Sequence, residues 1–112
     1  MAYAIRPAGA HLDVDLTGLP GKADFETLLG EIRRQGGAVI RVLLEFRTEA
    51  CLDTLDTLDV VSSLPRDCRI ALLITDERMR DSAEFAETVA VNRGIAVRMF
   101  DRRSSAERWL DA

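Results

Sequence analysis

The sequence predicts an α/β domain: a five-stranded mixed sheet, opened by an antiparallel hairpin and otherwise parallel, with about four helices mainly on one face. Three observations predict it. First, the runs Leu12–Thr17, Val39–Phe46, Arg69–Thr75 and Ile95–Phe100 alternate at the period of a strand. Second, helix-like segments fall between them, the order expected of a parallel sheet. Third, each run has one apolar face (Ile40, Val42, Leu44, Phe46) and one mixed face (Val39, Arg41, Leu43, Glu45). A sheet buried on both sides would show near-continuous apolar runs instead.

The elements follow in order. Tyr3–Arg6 forms a short strand, and Pro7-Ala8-Gly9-Ala10 turns it back onto Leu12–Thr17. Phe25, Leu28, Leu29 and Ile32 then repeat at helical spacing, with Arg33 and Arg34 in the last turn and Gly36-Gly37 as the stop. Val39–Phe46 leads through Arg47–Ala50 to a helix over Cys51–Leu64, closed by Pro65. Arg69–Thr75 leads to a helix from about Ser82 to Arg93, capped by Asp81 with Glu84 three residues on and ended by Gly94. Ile95–Phe100 precedes a final helix that opens on the capping box Ser104-x-x-Glu107 and ends in Trp109-Leu110. Right-handed crossovers between strands added in sequence order put the helices on one side. Two layers with the other side at least partly open are therefore expected, the charges of the mixed faces pairing across strands.

The chain's 112 residues fit one domain, spanning 1–112. Hydrophobic residues at 47% and charged residues at 30% place it among globular rather than disordered sequences. A net charge of −4, from 15 basic and 19 acidic residues, argues against nucleic acid as a main partner. No apolar stretch approaches the ~18 residues that span a bilayer, and Met1–Pro7 lacks a leader pattern. A cytoplasmic protein without membrane insertion is expected. Cys51 and Cys68 form no CxxC pair, and His11 is the one histidine, so neither a metal nor another cofactor is expected.

The repeat Leu52-Asp53-Thr54-Leu55-Asp56-Thr57-Leu58-Asp59 reads as a leucine core stripe beside a solvated acidic face; a calcium loop would require a glycine turn. Cys51 and Cys68 read as small structural residues, and His11 as exposed on a polar strand face. Nucleophile-elbow, dinucleotide and Walker sequences are absent, and no enzyme is expected. Leu43, Leu73 and Phe100 lie on the mixed faces. With Ala71 and Ala96 they form an apolar partner surface, unless the N-terminal segment or a helix covers them. The loops at the carboxyl ends of the strands supply the other candidates: Arg47, Thr48 and Glu49; Asp76 and Arg78; and Arg102.

The stretches Gly21-Lys22 with Phe25-x-x-Leu28, Val42-Leu43-Leu44-Glu45-Phe46, Arg69-Ile70-Ala71-Leu72-Leu73, and Arg98-Met99-Phe100 with Ala106-Glu107-x-Trp109-Leu110 carry a resemblance. Together with the element order, they resemble the SpoIIAA-like branch of the STAS family, related in architecture to lipid-binding CRAL-TRIO (Sec14) domains. The resemblance implies a small bacterial, non-catalytic interaction domain that binds a protein partner or itself as a homodimer. Its Sec14 side implies the alternative of a small apolar or lipid-like ligand. Anti-sigma-factor antagonists of this fold carry a phosphorylated Asp-Ser pair after the strand matching Val39–Phe46. Arg47-Thr48-Glu49-Ala50-Cys51 stands there instead, and Thr48 would have to accept the phosphate beside Glu49.

Overall fold

The computed structural model describes residues 3–9, 11–16, 22–35, 40–46 and 54–112. The strands are β1 (Tyr3–Ala8), β2 (His11–Leu16), β3 (Ile40–Phe46), β4 (Cys68–Ile74) and β5 (Ala96–Phe100). The helices are α1 (Lys22–Gln35), α2 (Thr54–Ser62), α3 (Arg80–Asn92) and α4 (Arg103–Asp111), with a 3-10 turn at Glu77–Met79. The strands lie in sequence order, β1-β2-β3-β4-β5, with β1 antiparallel to β2 and the rest parallel.

The hairpin is tighter than expected. Ala8 pairs with His11, so Pro7 and Ala8 belong to β1 and the loop between the strands is two residues long. Gly9 takes a positive φ of 67°, which a side chain would resist. Pro7 is tolerated because β1 is an edge strand and its missing N–H interrupts no ladder. The acid before α3 is also displaced. Asp76, not Asp81, caps by accepting from the backbone N–H of Arg78, because the 3-10 turn intervenes before the helix. α4 starts at Arg103 with no side-chain cap, so the Ser104–Glu107 box does not form.

Alternation sorts the sheet into two faces. One presents Val14, Leu16, Val42, Leu44, Ile70, Leu72 and Val97 to α1, α2 and α3, through Leu28, Ile32, Val61, Ala83, Val89 and Ala90. This is the main core, and it carries three of the four helices. The other face presents Leu43, Ala71 and Leu73, and α4 covers them with Ala106 and Leu110. Of the two alternatives for Leu43, Leu73 and Phe100, the free apolar surface is corrected and cover by a helix is what the structure has. Leu43 is 0% exposed and Leu73 3%, while Phe100 is half-buried against Trp109. Among the described residues, the margins of this face stay open, at Ala4, Arg6, Ala96 and Arg98.

The charges on this face account for the direction of α4. Register aligns Asp15 with Glu45 toward the carboxyl ends of the strands, and Arg41 with Arg69 toward their amino ends. The first turn of α4 lies over the acids, where Arg103 meets Asp13 and Glu45. Its last turn lies over the bases, where Arg69 donates to the carbonyls of Trp109 at 2.7 Å and Ala112 at 2.9 Å. A helix dipole, positive at its start and negative at its end, fits this field in one orientation only.

Candidate functional site

The side chains that close the main core do not fill it. A half-open cavity of about 100 Å3 remains between the sheet and the three helices. Leu28 and Ile32 of α1, Val60 of α2 and Ala83 of α3 wall it, over a floor of Leu72 and Val97. The helical spacing aims each of these at the sheet. Small residues keep it open on the α3 side, where Ala83 and Ala86 stand at positions a larger aliphatic residue would occupy. Among the described residues, its polar side chains are the hydroxyls of the buried Thr57 and the half-buried Ser82, and no titratable group lines it. A narrower crevice of about 10 Å3 shares Leu29, Ile32, Leu64 and Ile70 with the cavity. It lies at the amino ends of β3 and β4, among Ile40, Cys68 and the exposed Arg33.

The thiol of Cys68 is free and buried. Burial, assisted by Asp67 and opposed by Arg33, pushes it up to about 11 from 9.0. It is held as a neutral thiol, in keeping with the structural role read from the sequence.

Across the sheet, the α4 face holds a charged cluster that sequence reasoning left largely unread. Arg103 Nη1 donates to both oxygens of Asp13 at 3.1 Å, and Nη2 donates to Glu45 Oε1 at 3.0 Å. Desolvation lowers the Arg103 pKa, and the hydrogen bonds it donates to Glu45 and Asp13 outweigh that, leaving the guanidinium above its ordinary value. His11, expected to be exposed, is only 7% exposed. Its Nε2 lies 3.3 Å from Asp13 Oδ1 and 4.0 Å from Glu107 Oε2 without hydrogen-bond geometry. One signal of this cluster was present in the chain: a cation in the first turn of a helix opposes the dipole unless acids lie beneath it.

The predicted loop residues do not converge. Arg47, Thr48 and Glu49 lie outside the described residues. Asp76 and Arg78 close on each other, with Arg78 Nη2 donating to Oδ2 at 2.8 Å. That side-chain hydrogen bond, followed by the backbone one, holds the Asp76 carboxyl below its usual range. Asp76 also borders a cleft of about 320 Å3 with Glu77, Arg80 and Asp101, where Arg80 is bound to Glu77. Arg102 is exposed at the start of α4. With strand order running straight from β1 to β5, the sheet has no reversal to open a binding crevice at its carboxyl edge. Among the described residues, no cluster of three or more His, Cys, Asp or Glu could hold a metal ion, and no helix is long and apolar enough to cross a membrane.

No family model matches the chain, and no curated protein matches it. Among solved structures it is similar to an uncharacterized protein of the DUF3478 family from Shewanella loihica PV-4, described as having a SpoIIAA-like fold. The TM-score is 0.63 at 16% identity, over 97% of this chain and 92% of that one. At that identity the likeness speaks to architecture, and it agrees with the mixed sheet and its helices: the chain has a SpoIIAA-like fold.

Proposed function

We propose that this domain is a non-catalytic binding module that holds a small apolar ligand between its helices and its sheet. One observation carries the reading, the cavity of about 100 Å3 in the main core. Well-packed cores leave few voids larger than a water molecule, and an engineered apolar cavity of about 150 Å3 takes up benzene. Drug-sized ligands need several hundred Å3, so a whole lipid does not fit, whereas a short alkyl chain does. Among the described residues the polar groups of the lining are hydroxyls, and His11 stands on the opposite face of the sheet. The free thiol of Cys68 accords with a reducing, cytoplasmic setting.

The test is titration of the protein with pentanol, followed by two-dimensional NMR, beside an Ala83→Leu variant. Leucine at 83 projects into the void. Wild type shows saturable shifts at Leu28, Val60 and Ala83, and the variant loses them while staying folded within about 1 kcal/mol, the cost of strain offsetting the gained burial. Absence of saturable shifts in wild type would refute the reading.

A second reading, a protein partner or a second copy of the chain, is favoured by a different observation. α2 and α3 leave Leu55 72% and Val91 63% exposed on their outer surface. Sedimentation of wild type and a Leu55→Glu, Val91→Glu variant separates the readings: association that disappears in the variant supports it, and a monomer at high concentration rules out the homodimer.

A further inference from the structure

The two edges of the sheet are finished differently. On β5, the N–H groups of Val97 and Met99 are both taken up within the chain, Val97 donating to the carbonyl of Ile95 at 3.1 Å and Met99 to Glu87 at 2.7 Å. On β1 the corresponding groups are open. The two-residue loop makes Ala8 and His11 a hydrogen-bonded pair. Alternation from that pair turns the main-chain groups of Ala4, Arg6 and Ala8 toward β2, and those of Tyr3, Ile5 and Pro7 outward. Among the described residues, no acceptor meets the outward N–H of Tyr3 or Ile5. An edge in that state is a template for another strand.

We propose that β1 joins two copies of this chain, the strands antiparallel about a twofold axis at Ile5, so that the two sheets continue into one another. The register follows from what the edge offers. Centred there, the two Ile5 residues exchange both main-chain hydrogen bonds, and each Tyr3 N–H meets the Pro7 carbonyl of the other copy. Every outward donor is then used, and the N–H that Pro7 lacks leaves only the Tyr3 carbonyl to water. The side chains agree. Ile5 is half-buried at the margin of the main core, and its counterpart completes the cover. On the α4 face, Arg6 falls opposite Ala4 of the second copy, a small residue that stands in register with that copy's Asp15. Arg6 is 60% exposed and binds its own Asp15 at 3.1 Å, so pairing brings it into the field of both carboxylates. Sliding the pairing toward the hairpin sets the two Arg6 side chains against each other instead. Because the β5 edge is closed, a joined pair has no equivalent edge left to recruit a third copy: the contact is isologous and ends at two. This stands apart from the cavity, and it engages other residues than the outer surface of α2 and α3.

Amide exchange at Ile5 reads this contact directly. It is followed by NMR in wild type from about 30 μM to about 1 mM, beside sedimentation of the same samples. A single strand pair buries less than a standard interface, so a weak dimer is expected, with a dissociation constant of about 100 μM; exchange at Ile5 then slows about threefold over that range. Ala4→Lys puts a cation opposite Arg6 in each half of the dimer and weakens association about fivefold. Ala4 is exposed, so the substitution disturbs no packing within one copy. Association that leaves the Ile5 amide unprotected, or that Ala4→Lys does not weaken, overturns the proposal. So does a chain that stays monomeric at the highest concentration.

Discussion

Arg103 in the first turn of α4 holds Asp13 on β2 through both carboxylate oxygens, each 3.1 Å from Nη1, across 90 positions of sequence. The same guanidinium reaches Glu45 on β3, so a single side chain ties the last helix to two strands laid down much earlier. The side chains of Asp13 and Glu45 are 14% and 12% exposed, and Arg103 is 37% exposed.

Removing that cation leaves two largely buried carboxylates facing each other. Arg103→Met is expected to cost about 2 kcal/mol, below the range for a fully buried pair because Arg103 is partly solvated. Urea denaturation measures it. Arg103→Lys should recover only part of the loss, since a single ammonium cannot reach both acids with the same fork of donors.

Leu73 offers the sharpest test of the covered face. If it lay on an open partner surface, Leu73→Glu would leave the fold intact and change only association. Under α4 it buries an unpaired charge, and a loss of more than about 4 kcal/mol is expected. Circular dichroism during thermal melting distinguishes the two; a stable, well-folded variant would contradict the packing of α4.

Glu87 on α3 accepts a 2.7 Å hydrogen bond from the backbone N–H of Met99 on β5, an edge strand. An edge donor satisfied by a charged side chain is withdrawn from pairing with another chain. Glu87→Ala should cost about 1 kcal/mol and increase concentration-dependent association in sedimentation, while Glu87→Gln, which keeps an acceptor, should do so less.

Cys68 links the core to alkaline pH. Its folded pKa, about 11, lies above the ordinary 9.0, so folding favours the protonated thiol. Stability from this group is complete below pH 9 and declines as pH rises through 11, because the unfolded chain ionises first. In a Cys51→Ser chain at pH 8, about one thiol in a thousand is ionised, so alkylation by iodoacetamide should be slow until denaturant is added. Rapid modification of the native chain would contradict this burial.

Strand faces were readable because period-two alternation is imposed by the backbone itself, and Val42, Leu44, Ile70, Leu72 and Val97 all fall on the main core face as the pattern requires. Placement of α1, α2 and α3 followed because crossover handedness restricts helices that join parallel strands. α4 connects no two strands of this sheet, so that rule does not reach it. Its short stripe of Ala106, Trp109 and Leu110 shows that it is amphipathic, not which side it covers. The cover of Leu43 and Leu73 stayed one of two alternatives for that reason, and the burial of His11 was illegible. The cavity was illegible for another: its walls are ordinary core residues, and the void arises from the spacing of helices around Ala83 and Ala86. The loop Arg47–Glu49 lies outside the described residues, so this part of the candidate site rests on sequence alone.

Strands that neighbour one another in the order they are translated let the sheet grow one edge at a time as the nascent chain emerges, each parallel pairing closing across its crossover helix. The last helix then returns across β3 and β4 and lands beside β2. Until that landing, the Leu43–Leu73 patch is bare, so a stalled or prematurely stopped product presents grease that chaperones and proteases recognise. A finished copy hides it.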